Sequence, residues 1–395
     1  MKNILLLNNF GIPEKSCGGP RKIIYEILNL LDNNLFNTSY YSFNVAKKLN
    51  KNDYINLDNI GIISKLKNHI QSQVFYEMYY YKSKQKFLNN YIKQNKFDVI
   101  HSHNIIPMSM IPNINIPKIL TIHSKGSIVN DIFSDNKVYS KLRKKYFQKL
   151  EKDALMNSDL ITFPSKKARD LYFDDLEFDF TTVKKKVKII YNGINIEKIN
   201  KINKIDELEL KSRFNFILDD SVLLINISEH VKLKNIDLLI FSMKSLVEKF
   251  NYKIKLINFG SGPLTEYLKR IVKDNNLMGN IFFFGSQKWE TVISVMKRCN
   301  ALVMASEKVV FDLVILEALA SGIPILVTKD GGNIEIVNDN MNGFFIEKPN
   351  EDSIIKTVNR FMESNLKDEQ IRINHFFDVA RMVYEYELLY NSDFK

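Results

Sequence analysis

Short unbroken apolar runs alternate along the chain with longer stretches whose apolar residues recur at helical spacing. In the first half the runs are Ile4–Leu7, Val99–Ile100, Ile119–Ile122, Leu160–Phe163 and Val187–Tyr191. In the second they are Val222–Ile227, Ile254–Phe259, Ile281–Phe284, Ala301–Met304, Ile325–Val327 and Phe344–Ile346. A strand that is apolar on both faces is covered on both faces, so this alternation predicts parallel sheets flanked by helices. Two such series predict an α/β protein of two doubly wound, Rossmann-like domains. The division is expected near 200–220, because Glu197–Asp220 is rich in Lys, Asn and Asp and reads as a hinge.

Composition narrows the class. A chain of 395 residues with 45% hydrophobic and 26% charged residues has enough apolar surface for two to three domains and is not a disordered protein. No stretch approaches the roughly 18 unbroken apolar residues of a membrane span. Met1-Lys2-Asn3 followed by Ile4–Leu7 reads as a first strand, not as a signal peptide. Cys17 and Cys299 lie far apart, which excludes a disulfide framework and a cysteine-based zinc site and makes a reducing cytoplasm the expected location. The net charge of +11 is unevenly placed: residues 1–200 carry 31 Lys+Arg against 18 Asp+Glu (+13), and residues 201–395 carry 25 against 27 (−2). An anionic partner for the first half follows: a membrane surface, a nucleic acid or a phosphorylated substrate. No helix-turn-helix, zinc-finger or RNP-type signature supports nucleic acid.

The segment Ser64–Lys93 reads as a helix. It sets Lys65, Lys67, Lys82, Lys84, Lys86 and Lys93 against one acid, Glu77, with Phe75, Tyr76, Tyr79, Tyr80 and Tyr81 interleaved. It is either a solvated helix whose aromatics pack on the sheet or an interfacial helix for anionic lipid. The cluster Arg143-Lys144-Lys145-Tyr146, with Lys141 and Lys149, extends the basic face.

Candidate chemistry falls in the loops that follow strands. Gly18-Gly19-Pro20 follows the first strand, Gly260-Ser261-Gly262-Pro263 follows Ile254–Phe259, and Asp330-Gly331-Gly332-Asn333-Ile334-Glu335 follows Ile325–Val327. Glu317 lies in the helical stretch Leu313–Ala320. Glycines there let a backbone approach a ligand, and free amides at a helix start favour phosphate. In a doubly wound sheet ligands bind outside the carboxyl ends of the strands, the edge to which all these loops belong. The spacing matches neither a dinucleotide fingerprint nor a P-loop. No Asp-x-Asp triplet suggests a metal. Trp289 reads as a packing residue, His101 and His103 as loop or supporting residues, and Cys17 as a thiol made notable only by its place beside the glycines.

In order and spacing these residues resemble the large retaining glycosyltransferase family 4. The resemblance rests on Phe97–His103, Thr121-Ile122-His123, Ser158–Ser165, Tyr191–Asn195, Ala305-Ser306 through Glu317–Pro324, Gly331–Val337 and Asn342-Gly343, and spans nearly the whole chain. It implies the GT-B fold, two Rossmann-like domains facing each other across a cleft. An acceptor domain over 1–200 would be followed by a nucleotide-sugar domain over 201–375, and a helix in 376–395 would cross back to the first. The implied reaction moves a sugar from a nucleotide-diphosphate donor to a glycan, lipid-linked or protein acceptor with retained configuration, in cell-surface polysaccharide or glycoconjugate synthesis. No cofactor and no metal is implied. By position, His123 would contact the donor sugar and Lys234 would counter the diphosphate charge. Gly18, Gly19, Gly260, Gly262, Pro263, Leu313 and Val314 would line the donor, and Glu317 would accept the ribose hydroxyls. The chain departs from the pattern where Ser228-Glu229 replace a usual Gly-Arg, where Val309 replaces a glutamate, and where Val310-Phe311-Asp312 replace Gly-Phe-Gly. Lys232 or Arg298 are candidate replacement cations, and Glu307 or Asp312 candidate replacement carboxylates. The alternative is a catalytically silent homologue acting as a partner or acceptor-binding subunit. The expected location is cytoplasmic, peripheral at the inner face of a membrane.

Overall fold

The computed structural model describes residues 1–9, 11, 13, 19–42, 70–133, 141–176, 187–366, 371 and 373–392. Gly18, Cys17 and the first part of the Ser64–Lys93 segment lie outside these residues. The chain divides into two compact units, residues 1–192 with 380–395, and residues 193–379.

Unit 1 runs β1 (Lys2–Asn8), α1 (Gly19–Leu30), β2 (Phe36–Ser42), α2 (Ile70–Gln94), β3 (Val99–Ser102), α3 (Ile105–Met110), β4 (Lys118–Thr121), α4 (Ile128–Phe133), α5 (Lys141–Asn157), β5 (Leu160–Phe163), α6 (Lys166–Asp174) and β6 (Val187–Ile189). Its sheet has the order β2-β1-β3-β4-β5-β6, with every pairing parallel. Continuous apolar strands lie at its centre; Ile4 to Leu7 are fully buried. The apolar-run pattern misses β2 because this is an edge strand, with exposed Asn37 and half-buried Thr38 and Ser39. An edge strand is partly wet and need not be apolar throughout.

Unit 2 runs α7 (Ile196–Asn200), α8 (Glu207–Phe214), β7 (Val222–Ile227), α9 (Ile236–Glu248), β8 (Ile254–Phe259), α10 (Thr265–Asp274), β9 (Ile281–Gly285), α11 (Trp289–Met296), β10 (Ala301–Met304), α12 (Leu313–Ala320), β11 (Ile325–Thr328), α13 (Asn333–Ile336), β12 (Gly343–Ile346) and α14 (Glu351–Met362). Its parallel sheet has the order β12-β11-β10-β7-β8-β9. The polar segment Glu197–Asp220 contains most of α7 and all of α8, because Asn195 and Asp206 cap their first amides. The final helix, α15 (Val379–Asn391), packs into unit 1 and buries Met382, Val383, Tyr386 and Tyr390 there.

In each sheet the sequence order reverses at one place, between β1 and β3 in unit 1 and between β7 and β10 in unit 2. Loops leaving neighbouring strands part at such a point and open a crevice at the carboxyl edge.

Candidate functional site

In unit 2 the loops at the reversal are tied together by their own backbone. Gly260, at φ +124°, lies so close to the β7 loop that a Cβ there would come within 1.9 Å of the Ser228 carbonyl oxygen. A Cβ on Gly262 would come within 2.7 Å of the His230 carbonyl oxygen. The His230 amide donates to Ser261 and the Leu264 amide to His230, at 3.1 and 3.0 Å. Both glycines are therefore demanded by backbone-to-backbone packing of two loops, before any ligand is considered. Pro263 is exposed beside them. Sequence reasoning missed His230, fully buried, with its ring nitrogens 2.8 Å from Thr265 Oγ1 and 3.1 Å from Asn258 Oδ1. It fastens the β7 loop to the start of α10.

Across the reversal, Asn235 Nδ2 donates to the Ala305 carbonyl at 3.0 Å and to Glu307 Oε2 at 3.2 Å, and the Glu307 amide donates to Leu233. Lys234 sits half-buried in the short turn between β7 and α9. Its ammonium has no salt-bridge partner among the described residues. Glu229 is exposed. Arg298 Nε is committed to the Ile205 carbonyl at 2.7 Å. Val309 is buried, its amide donating to Asp330 Oδ2 at 3.1 Å. Leu313 is buried and Val314 half-buried in the first turn of α12.

Glu317 is only 5% exposed, and its Oε1 accepts Trp289 Nε1 at 2.8 Å. The Lys198 ammonium lies 4.8 Å from the Trp289 ring centroid. Trp289 is thus more than packing: it fixes the rotamer of the carboxylate the motif singled out. The tertiary approach of α11 to α12 makes the pair, and nothing local in the sequence marks it.

In unit 1 the carboxyl edge holds a cavity of about 430 Å³, lined among others by Asn9, Pro20, Tyr81, His103, His123 and Arg143. Gly19 begins α1, exposed, at φ +57°. His123 follows β4 and His103 follows β3; their rings stack at 5.3 Å, with His103 Nδ1 3.0 Å from His123 Nε2. Beneath them His101 joins Tyr390 Oη and Thr121 Oγ1, each at 2.7 Å. Burial pulls His101 down to about 3 and His123 down to about 4, and holds His103 well below its usual range. All three are neutral at physiological pH, so His123 offers a hydrogen bond and no charge. Glu77 takes both Arg143 Nε (2.8 Å) and Nη2 (2.6 Å) in the cavity wall.

Sequence reasoning also missed Glu151, buried on α5. It accepts Ser127 Oγ at 2.5 Å, the Ile128 amide at 2.8 Å and Tyr172 Oη at 2.8 Å. With Asp175, which takes the Ser127 amide at 2.8 Å, it holds the loop that continues from His123. A buried Glu carries no local signature, since its partners come from three distant segments.

Comparison with known proteins agrees with this architecture. Residues 18–198 match the family described as Glycosyltransferase Family 4, and residues 208–375 match Glycosyl transferases group 1. An uncharacterized glycosyltransferase of Methanocaldococcus jannaschii is 29% identical over 278 residues, 69% of this chain and 68% of that one. The N-acetylgalactosamine-N,N'-diacetylbacillosaminyl-diphospho-undecaprenol 4-alpha-N-acetylgalactosaminyltransferase of Campylobacter jejuni is 26% identical over 193 residues, 49% of this chain and 48% of that one. Among solved structures, Anabaena HepE in complex with UDP shares the fold at a TM-score of 0.68 and 15% identity, over 98% of this chain and 99% of that one. With a family match to each half and two Rossmann-like units of parallel strands, the chain belongs to the family 4 glycosyltransferases of GT-B fold.

Proposed function

We propose that the protein transfers a sugar from a nucleoside-diphosphate donor to a glycan or lipid-linked acceptor, with retention of configuration, in the synthesis of a surface polysaccharide or glycoconjugate. One observation carries the reading: Lys234, a half-buried cation in no salt bridge among the described residues, stands at the reversal of the unit 2 sheet beside the start of α12. That place suits a diphosphate, which the ammonium and the helix amides would stabilise as it departs. Glu317, held by Trp289, suits the ribose hydroxyls. The unit 1 cavity takes the acceptor, and neutral His103 and His123 in its wall hydrogen-bond sugar hydroxyls. In the proposed step the acceptor oxygen bonds to the anomeric carbon on the face the diphosphate leaves. The acceptor proton passes to the departing phosphate oxygen. The Campylobacter relative's diphospho-undecaprenol substrate and the UDP of the Anabaena neighbour support the two substrate classes. A lipid-linked acceptor also accords with the basic first half, which we assign to the anionic inner face of a membrane; none of the described helices is long and apolar enough to cross one.

A thermal-shift screen against nucleoside diphosphates and nucleotide sugars tests the reading, since a ligand held at 100 times its Kd adds about 2.7 kcal/mol to the native state. One nucleotide should raise the unfolding temperature by several degrees, and its sugar conjugate should be turned over or slowly hydrolysed. No shift with any of them defeats the proposal. A shift without turnover, in the presence of candidate acceptors, is the behaviour of a silent partner subunit.

A further inference from the structure

The lining of the unit 1 cavity limits what can enter it. Ile105 and Ile106 at the start of α3, Ile122 after β4, Ile128 at the start of α4 and Phe147 of α5 make part of the wall apolar. The charged residues among the described lining are Glu77 and Arg143, and they cancel. Glu77 accepts two guanidinium N–H groups, at 2.8 and 2.6 Å, and the Arg143 and Glu77 side chains are only 13% and 17% exposed. The guanidinium also lies 5.5 Å from the Phe147 ring centroid. A half-enclosed bidentate pair satisfies the cation within the protein, so an entering carboxylate or phosphate would have to displace Glu77.

The stacked histidines add a second limit. Burial keeps both rings neutral, so each carries one ring proton. The 3.0 Å bond between His103 Nδ1 and His123 Nε2 holds one of the two protons. Whichever ring supplies it, the outer nitrogens, His103 Nε2 and His123 Nδ1, are then one donor and one bare acceptor. His103 is 1% exposed, and its Nε2 has no partner in the fold. Such a couple matches hydroxyls, which both give and take; an anion only takes, and meets the bare nitrogen as a second acceptor.

Resting on the acceptor site proposed above, we infer that the acceptor group entering this cavity is an uncharged sugar bearing a methyl-terminated substituent, an acetamido group or a 6-deoxy carbon. Its hydroxyls meet the histidine couple and its methyl seats on the isoleucines. A plain hexose would turn a hydroxyl onto the isoleucines and leave it unpaired, whereas a methyl there gains from burial. Any phosphate of a lipid-linked acceptor stays outside the cavity.

The test uses methyl glycosides that differ at one position: those of glucose, 6-deoxyglucose, N-acetylglucosamine and glucuronic acid, and the matching four of the galactose series. Kd values come from ligand-observed NMR. With the natural protein, at least one methyl-bearing sugar should bind about tenfold more tightly than its parent hexose, the discrimination that a small apolar contact supplies, and neither uronide should bind. Ile128 is half-buried, and in Ile128→Thr that advantage should shrink several-fold. Should this variant fail to fold, Ile106→Thr is read in the same way. Glu77→Gln leaves the Arg143 charge uncancelled and should bring a uronide into the cavity, a gain that lost packing does not produce. A folded Glu77→Gln variant that still binds no uronide overturns the exclusion of anions by charge cancellation. Parent hexoses or uronides that bind the natural protein as tightly as the methyl-bearing sugars overturn this inference and leave the acceptor site standing. Absence of binding by all eight compounds removes the acceptor site and this inference with it.

Discussion

At the scale of single residues, the site depends on side chains whose partners come from elsewhere in the chain. Glu317 has one oxygen committed to Trp289, so the indole sets where the other oxygen points. Trp289→Phe keeps the ring and removes the donor, and isothermal titration should show a loss of several-fold in nucleoside-diphosphate affinity. Glu317→Gln should cost about tenfold, because an amide replaces only part of a charge-assisted pair. Val309→Ala, which opens space in a buried loop contact, should lower the unfolding temperature and leave the affinity nearly unchanged. The histidines give a pH prediction. An unfolded His titrates near 6.5, and in the folded chain His123 titrates at about 4, His101 at about 3 and His103 well below the usual value. Between pH 6.5 and 4 the unfolded state therefore binds more protons, and stability falls as pH falls through that window. Denaturant titrations at pH 7, 6 and 5 should show this decline, and His101→Gln should make it shallower.

Among the elements, α2 corrects one expectation. Lys84 is buried, its ammonium 5.0 Å from the Tyr80 ring centroid, on the stripe that continues through Leu88, Tyr91 and Ile92. The helical period places positions 84, 88 and 91 on one face, and that face packs on the sheet. Lys84 cannot serve a lipid surface, and its reversal to Glu would bury a charge. Lys82 and Lys86 are exposed on the other side, with Tyr79 and Phe87, as is Lys145 of α5. Binding to vesicles containing phosphatidylglycerol should fall steeply between about 20 and about 150 mM salt, as the Debye length shrinks from about 20 to about 8 Å, and vanish in Lys82→Glu/Lys86→Glu/Lys145→Glu. Persistence of binding in that folded triple variant would return α2 to a solvated helix. For α15, Tyr390→Phe removes the hydroxyl bonded to buried His101 and should cost about 1–3 kcal/mol in a denaturant titration.

For the whole molecule, every residue assigned to the donor except Gly18, Gly19 and His123 lies in unit 2, whereas α15 completes unit 1. Truncation after Val379 strips unit 1 of the side chains that cover His101 and Thr121, and leaves the unit 2 core intact. Calorimetry of the truncated chain should show the unit 1 transition lost or lowered, while nucleoside diphosphate still raises that of unit 2. Loss of the ligand shift in the truncated chain would mean that unit 1 contributes binding residues beyond Gly18, Gly19 and His123.

The sequence by itself determined the class of fold: buried parallel strands must be apolar on both faces, so eleven of the twelve strands announce themselves, and turn residues mark the carboxyl edge. It did so least well where a strand is half wet, as in β2, or where polar residues cap short helices, as in α7 and α8. Motif order also exposed Glu317, Lys234 and the 260–263 loop. Only tertiary structure decided what those residues do. It showed that Gly260 and Gly262 serve a contact between two loops, that Trp289 holds Glu317, that Glu151 holds the loop after His123, and that Glu77 cancels the charge of Arg143. The physical reason is range: strand and helix patterns arise from residues a few positions apart, whereas hydrogen-bond satisfaction and desolvation join atoms from segments tens to hundreds of residues apart, which only the folded chain brings together.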